Sequence, residues 1–423
     1  RQLQNALSPI VQKLSRIRQA DGTAAPVKQR HAQLFLQQLH LHAQRRLGHM
    51  KAPGRPGDAS LIRDPHKILQ LSNIHRSDPH LSFFYLYNFR INYIGNKDKL
   101  VNWIIDNLPL KKGTVLDLFS GGNSVAYALK ENNYTVYSND ALYSNYVISK
   151  AIIENKNIKL NEKILDTRVT EAETNKKYKE ISFLSNRLYY NDEVRELAKL
   201  FVISEKIEDE YEKYMFLALI RRAMIRKLPY SRMNVPWNQI QKLRDEDYSY
   251  EKYKRRRAYH NFTFEKHIRD NLENYNNAVF DNKKDNKSFN YDSFDMIDNL
   301  KEKVDIIYMD PPYPATMNKY GDFYGLYDKA VKHEISYVNF SENNMFLSNL
   351  EKLIEKCIEK TKYIVISESN KTKPTVKELS DMLSKYGTVK VYSKEHQYKV
   401  TGSINKNQTV EMLIILKVKE SSK

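Results

Sequence analysis

The sequence predicts an α/β fold: an open sheet with helices on both faces, interrupted by a mostly helical insertion. Three observations predict it. Short apolar runs suited to buried strands alternate with segments of helical period from about residue 90 onward. Two of those runs, Thr114–Leu118 and Val304–Met309, lead into turns of small or rigid residues, where an open α/β sheet places its ligands. Between them lies a long stretch, roughly 151–287, that contains a dense run of arginine and tyrosine.

The 423 residues suffice for two or three domains and a sizeable core. At 41% hydrophobic and 28% charged, the composition excludes wholesale disorder. No apolar run is long enough for a membrane span, no secretory signal is visible, and the single cysteine, Cys357, rules out an internal disulfide and a multi-cysteine metal site. No membrane partner and no metal are expected, and the expected compartment is a reducing cytoplasm. The net charge of +18 points to a polyanionic partner, nucleic acid first. That charge is unevenly spread. Residues 1–80 hold 13 Lys plus Arg against four acids, a net of +9, and residues 81–423 supply the other +9. All 30 tyrosines fall after residue 84, whereas seven of the 11 histidines lie within the first 80 residues. Residues 1–80 therefore read as a basic N-terminal extension outside the core, with a basic nucleic-acid arm as the functional alternative. Within it, Ala32–Leu47 could form a helix, Gly48-His49-Met50 resembles a cloning-site remnant before an initiator, and Pro53, Gly54, Pro56 and Gly57 suggest a linker.

Along the rest of the chain, Leu100, Trp103, Ile104, Asn107 and Leu108 fit a helix that Pro109 stops. The strand at Thr114–Leu118 runs into Phe119-Ser120-Gly121-Gly122-Asn123-Ser124, then a helix through Val125, Ala128 and Leu129. The next strand, Tyr134–Ser138, ends in Asn139-Asp140. Strand, glycine turn, helix and strand in that order are the layout of a nucleoside-binding half. The glycines let a ligand approach the backbone, and Asp140 can accept both ribose hydroxyl hydrogens. The turn lacks a full G-x-G-x-x-G, so a nucleoside smaller than a dinucleotide is expected.

The second half is sharper. The strand Val304–Met309 delivers Asp310-Pro311-Pro312-Tyr313, whose two prolines fix φ and remove two N–H donors. That turn presents carbonyls and a carboxylate rigidly. A carboxylate plus a backbone carbonyl accept both hydrogens of an exocyclic amine, and an adjacent tyrosine can stack on the heterocycle that carries it. A helix over Ser341–Lys360 that buries Cys357, a strand over Tyr363–Ser367, and a hairpin pair of Val389–Tyr392 with Val410–Leu416 complete the sheet. The intervening Ser393–Asn407 loop, with Tyr398, is expected to border the ligand pocket.

Asp310-Pro311-Pro312-Tyr313 resembles the catalytic tetrapeptide of amino-group DNA methyltransferases that use S-adenosylmethionine, and Asp117–Gly122 resembles their cofactor loop. Tyr93-Ile94-Gly95-Asn96-Lys97-Asp98-Lys99-Leu100 is similar to the segment preceding that loop in the Dam-like, α-class subgroup, whose motif order this chain shares. Arg255-Arg256-Arg257-Ala258-Tyr259-His260-Asn261, with Asn276–Asp281 downstream, is similar to the insertion of FokI-type methyltransferases of restriction–modification systems. The resemblance spans roughly 85–420. It implies a Rossmann-like methyltransferase sheet, with a cofactor-binding half at 81–150 and a catalytic half at 288–423 around a target-recognition insertion at 151–287. It also implies that Tyr93, Gly95, Lys97, Asp117, Phe119, Ser120, Gly121 and Gly122 surround the methionine part of the cofactor and that Asp140 binds its ribose. Asp292 would contact its adenine, with Asp295 as the alternative because Ser293 stands where the family has Phe. Asp310 with the Pro311 carbonyl would hold the target amine, Pro312 would keep the turn rigid, and Tyr313 would stack on the extruded base. An aspartate at position 310 favours adenine as that base.

The insertion is where sequence reading would occur. From Arg221 to Arg257 there are 12 basic residues and four acids, with Tyr230, Trp237, Tyr248, Tyr250, Tyr253 and Tyr259 interleaved. Bases mixed with aromatics suit phosphate contacts together with stacking beside a flipped base. Arg221, Arg222, Arg226, Arg232, Lys254, Arg255, Arg256, Arg257 and Tyr398 are the candidate DNA contacts, and Asn234 and Asn238 are candidates for base edges. The expected function is adenine-N6 methylation of double-stranded DNA at a specific site, paired with a restriction endonuclease. A solo regulatory methylase, an RNA adenine methyltransferase and a non-catalytic nucleic-acid-binding module are the alternatives. The neighbouring gene, labelling of DNA against RNA, and cofactor binding discriminate among them.

Overall fold

The computed structural model describes residues 93, 95–254, 258–314, 320–340, 345–370, 372–396 and 409–420, all within the compact unit Leu86–Lys423. The extension at 1–80 with its expected helix and linker, Arg255, Arg256, Arg257 and Tyr398 lie outside the described residues.

Seven strands form one sheet: β1 (Thr114–Asp117), β2 (Thr135–Asn139), β3 (Lys287–Phe289), β4 (Val304–Met309), β5 (Thr361–Ser369), β6 (Gly387–His396) and β7 (Thr409–Val418). Their order is β3-β2-β1-β4-β5-β7-β6. The first five are parallel neighbours, with Val115 opposite Val136 on one side and Ile306 on the other, and Ile307 opposite Ile364. β7 inserts antiparallel between β5 and β6. This is the expected Rossmann-like sheet, and its chain order reverses direction at β1 and β4, where such sheets open a ligand crevice.

Strand period dictates two cores, because successive residues face opposite sides of the sheet. Val115, Val136, Ile306, Tyr308 and Val365 face one core, and Leu116, Ile307, Met309, Ile364 and Ile366 face the other. The first is covered by α1 (Val101–Asn107), α2 (Ser124–Glu131) and α3 (Tyr143–Ser149), the last continuing into a π turn at Lys150–Glu154. The insertion supplies α4 (Glu171–Ile181), α5 (Asn191–Glu205), α6 (Glu210–Arg226), α7 (Trp237–Arg244), α8 (Glu246–Tyr253) and α9 (Phe264–Ala278). Its buried Leu197, Phe216 and Ile220 join the same core, so the insertion is packed into the sheet's helical layer. The second core is covered by α10 (Ser293–Asn299), α12 (Phe346–Cys357) and α13 (Val376–Leu383), while α11 (Tyr320–Ala330) lies on the first.

Local chemistry fixes the helix starts. Thr170 and Glu173 form a reciprocal capping box on α4, and Asp209 and Thr263 accept from the third residues of α6 and α9. A buried charge cluster ties three insertion elements together. Glu193 of α5 takes a two-pronged contact from Arg244 of α7, at 2.6 and 2.8 Å, and lies 2.7 Å from the Lys227 ammonium just past α6.

Several details depart from expectation. β3 is an unexpected strand; with three half-buried residues it gives no apolar run to read. The helix around Cys357 starts at Phe346, and within it Leu350, Ile354 and Cys357 are buried while Leu347 is exposed. β6 runs on through Ser393 to His396, so the start of the expected Ser393–Asn407 loop is strand, held opposite Met412 to Thr409. Among the described residues, no helix is long and apolar enough to cross a membrane, and no group of His, Cys, Asp and Glu could hold a metal ion.

Candidate active site

The site grows from three strand ends. Asp117 ends β1, Asp140 follows β2 and Asp310 follows β4, and all three line a cavity of about 510 Å³, within the usual size of small-molecule sites. Gly95, Lys97, Phe119, Ser120, Gly121, Gly122, Asp292 and Pro312 line it as well. Ten of the expected cofactor residues are therefore brought together, since Tyr93 is on the same wall.

The glycine turn is shaped by what packs on it. Gly121 has φ +49°, and a Cβ there would meet the Tyr93 ring at 2.8 Å; one on Gly122 would meet the Tyr93 Cβ at 2.7 Å. Asp140 holds the turn from the other side. Its Oδ2 accepts from the Gly121 N–H at 2.7 Å and its Oδ1 from the Leu142 N–H at 2.8 Å. Burial raises the Asp140 pKa, and those two N–H donors, the Asn145 amide and the Arg221 charge oppose the rise. Three donors on two carboxylate oxygens still leave acceptor capacity for a hydroxyl.

Asp117 is different. It is 1% exposed, and neither carboxylate oxygen makes a hydrogen bond of good geometry among the described residues. Burial, then the nearby Asp310 and Asp140 charges, push its pKa well above the usual carboxylate range, although the Ala126 N–H draws it down. A buried, poorly hydrogen-bonded carboxylate facing a cavity fits a ligand that brings an ammonium or another strong donor.

Asp310 follows the neighbouring strand β4. The Lys97 ammonium lies 3.1 Å from its Oδ2 and 3.9 Å from Glu411 on β7. Burial pushes the Asp310 pKa up, Lys97 draws it down, and Glu411 pushes it up again. Burial disfavours the Lys97 ammonium, yet Asp310 and Glu411 hold its pKa above the usual value. The structure thus adds a role to Lys97, which pairs with the carboxylate of the tetrapeptide.

Asp292 and Asp295 separate cleanly. Asp292 caps α10 by accepting from Phe294 N–H at 2.8 Å, also accepts from Val338 N–H at 2.8 Å, and lines the cavity. Asp295 is exposed on the helix. Tyr313 departs from its expected place. Its ring is buried against Phe346, with centroids 5.2 Å apart, and its hydroxyl donates to the Ser367 carbonyl at 2.7 Å, so it supports the turn from the core and does not line the cavity.

The basic candidates divide by burial. Arg221 is 1% exposed and its guanidinium donates to Asn145, which removes it from the surface a phosphate can reach. Lys227 and Arg244, counted in the same basic run, are buried on Glu193. Arg222 is half-buried on Asn271. Arg226 lies 4.2 Å from the Tyr259 ring, Arg232 sits between the Tyr230 and Phe323 rings, and Lys254 is exposed. Asn234 and Asn238 are exposed too. Sequence reading missed Tyr320, Tyr337 and Phe340, which line the cavity from the segment after the tetrapeptide, and Asn145 and Glu411, which touch its residues from behind.

Residues 93–400 match the D12 class N6 adenine-specific DNA methyltransferase family. The chain belongs to that family. Among curated proteins, it is 40% identical over 334 residues to the Type II methyltransferase M2.HphI of Haemophilus parahaemolyticus, covering 77% of this chain and 97% of that protein. It is 28% identical to the modification methylase StsI of Streptococcus sanguinis, over 58% of this chain and 36% of that one. It is 26% identical to the modification methylase LlaI of Lactococcus lactis subsp. lactis, over 75% and 53% respectively. This D12 class methyltransferase is thus an adenine-specific DNA methyltransferase, and its family implies S-adenosylmethionine as methyl donor. The cavity fits that donor on its own chemistry: a buried carboxylate for an ammonium, a glycine turn that admits close approach, and Asp140 with acceptor capacity left for a hydroxyl.

Proposed function

We propose that this methyltransferase transfers the methyl group of S-adenosylmethionine to N6 of an adenine rotated out of double-stranded DNA at a specific sequence, and thereby protects host DNA from a cognate restriction endonuclease. One observation carries the reading. Asp310, 25% exposed at its side chain, opens onto the same cavity as the buried Asp117, so an amine and a methyl donor held by these carboxylates share one enclosure. The names of the relatives, a Type II methyltransferase and two modification methylases, support the pairing with a nuclease.

The chain's own residues have defined parts. Asp117 takes the ammonium of the donor's methionine part, beside Tyr93, Gly95, Phe119, Ser120, Gly121 and Gly122. Asp140 takes the ribose hydroxyls and Asp292 the adenine edge. The donor supplies, when bound, a methyl already activated on a sulfonium, so the protein's task is placement and charge. Asp310 accepts one hydrogen of the target amine and the Pro311 carbonyl the other, with Pro312 locking the turn. That pair of acceptors frees the nitrogen lone pair from the ring and offsets the positive charge that develops on it. Lys97 favours the ionised, acceptor form of Asp310 against burial and Glu411, which push its pKa up. Because a duplex hides N6, the base must leave the stack at a cost of a few kcal/mol. Arg222, Arg226, Arg232 and Lys254, with Arg255, Arg256, Arg257 and Tyr398, are the proposed DNA contacts.

The test is labelling. The full chain, incubated with tritiated S-adenosylmethionine, is expected to place label in N6-methyladenine of unmethylated duplex DNA, and single-molecule sequencing is expected to map it to one motif. Label in RNA alone, or none in either polymer, would overturn the reading.

A further inference from the structure

We infer that Arg221, carried by α6 of the insertion, is a positioning residue for the cofactor cradle, holding Tyr93 against the glycine turn by way of Asn145 and Tyr324. The inference rests on the methyl-donor reading of the cavity. It starts from an oddity. Arg221 is among the largest fully buried side chains, and its Nε has no partner among the described residues. Burying a guanidinium is costly, and a surface contact with phosphate would have left it exposed.

Its contacts lead to one place by two routes. In the first, Arg221 Nη2 donates to Asn145 Oδ1 at 3.3 Å, and Asn145 Nδ2 in turn donates to the Tyr93 hydroxyl at 3.3 Å. The Asn145 carbonyl accepts from Asn123 Nδ2 at 3.1 Å, and the same amide lies 3.3 Å from the Gly121 carbonyl. In the second, the guanidinium lies 5.1 Å from the centre of the Tyr324 ring, which stacks on Tyr93 with centroids 4.9 Å apart and planes 19° apart. Tyr93 stacks on Tyr320 in turn, at 5.4 Å and 4°. Tyr93 is the ring that closes over Gly121 and Gly122. A planar, permanently charged side chain suits both routes at once: one edge donates to an amide while the face lies on an aromatic ring.

The consequence is a physical link between the insertion that reads DNA and the turn that holds the donor. Removing Arg221 frees Asn145 and Tyr324 to repack, and Tyr93 loses its seat. The effect falls on donor affinity and spares both chemistry at saturation and affinity for duplex.

The experiment compares the full chain with Arg221→Met, Arg221→Lys and Asn145→Ala. S-Adenosylmethionine binding is measured by calorimetry, affinity for a mixed-sequence duplex by fluorescence anisotropy, and kcat and KM with tritiated S-adenosylmethionine on unmethylated genomic DNA. Arg221→Met is expected to raise the donor Kd and KM about tenfold, the loss of one charge-assisted hydrogen bond. Its kcat at saturation and its duplex affinity should stay near the wild-type values. Arg221→Lys, which keeps the charge but not the flat face, should recover part of the loss, and Asn145→Ala should reproduce it. A fall in duplex affinity with donor Kd unchanged would make Arg221 a DNA contact and overturn the inference, as would an unchanged donor Kd in a folded variant. If Arg221→Met does not fold, Asn145→Ala carries the test, and an unchanged donor Kd there overturns it equally. Failure of the wild-type chain to bind S-adenosylmethionine would bring down the functional reading itself, a distinct result.

Discussion

In the proposed mechanism Asp310 acts as an ion, and its surroundings pull it both ways: burial and Glu411 favour the neutral acid, while Lys97 at 3.1 Å favours the carboxylate. Two substitutions separate these effects. Asp310→Ala removes the acceptor and leaves the walls around Asp117 and Asp140 intact, so turnover should fall by about 10²–10³ or more. Donor binding by calorimetry should stay within a few-fold, and undiminished turnover would sink the mechanism. Lys97→Met keeps length and burial but deletes the counter-charge. The Asp310 pKa then rises, so a larger fraction of the enzyme is protonated and inactive at a given pH. The acidic limb of the kcat/KM profile should move to higher pH, with the alkaline plateau less affected; an unmoved limb would show that Lys97 does not set this charge.

At the scale of elements, the insertion is pinned by one carboxylate. Glu193 of α5 meets Arg244 of α7 and Lys227 at the end of α6, and the three are buried together. Removing one partner from such a cluster strands buried charge, and Glu193→Ala should cost about 3–5 kcal/mol in chemical denaturation. The cluster also gives stability a pH dependence. Burial pushes Glu193 up, but Arg244 and Lys227 more than reverse this, so its folded pKa lies below the unfolded one. The stabilisation is present above the unfolded value and drains away as pH falls through the folded one, so acid should unfold the wild type with a steeper loss than the Glu193→Ala variant. These same side chains show what the sequence can and cannot reveal. Asp117, Asp140 and Asp310 are legible because each follows an apolar run, and a strand's carboxyl end is a place defined by sequence. The arginines are not, because a linear run of bases does not say which side of a helix faces the core: α6 is buried nearly all round, so Arg221 points inward while Arg226, five residues on, reaches Tyr259. Glu411 and Asn145 carry no motif, and only the order of strands and the packing of α3 bring them to the site. Tyr313 belongs to a legible motif, yet its ring points away from the expected side, since a tetrapeptide fixes a turn's backbone more firmly than a rotamer.

For the whole molecule the question is which of its charges face DNA. The net +18 divides equally between residues 1–80 and 81–423. In the second part, among the described residues, the run from Arg221 to Arg257 has three members in the interior, Arg221, Lys227 and Arg244. Counterion release distinguishes the two kinds of base, because only a base that neutralises a phosphate in the complex adds to the salt dependence of binding. Arg226, Arg232 and Lys254 keep access to solvent, two of them stacked on tyrosines that hold them in place. Replacing these three by alanine should reduce the slope of log K against log salt by about 0.9 for each phosphate no longer neutralised, whatever the sequence of the duplex. Replacing Lys227 or Arg244 should lower the unfolding midpoint and leave that slope alone, because both are buried on Glu193 and out of reach of a phosphate. Binding isotherms across a salt series decide between the two. A slope that falls for the buried pair as much as for the three solvent-accessible residues would mean that the electrostatic footprint belongs to the insertion's summed charge and not to the residues that can reach a phosphate.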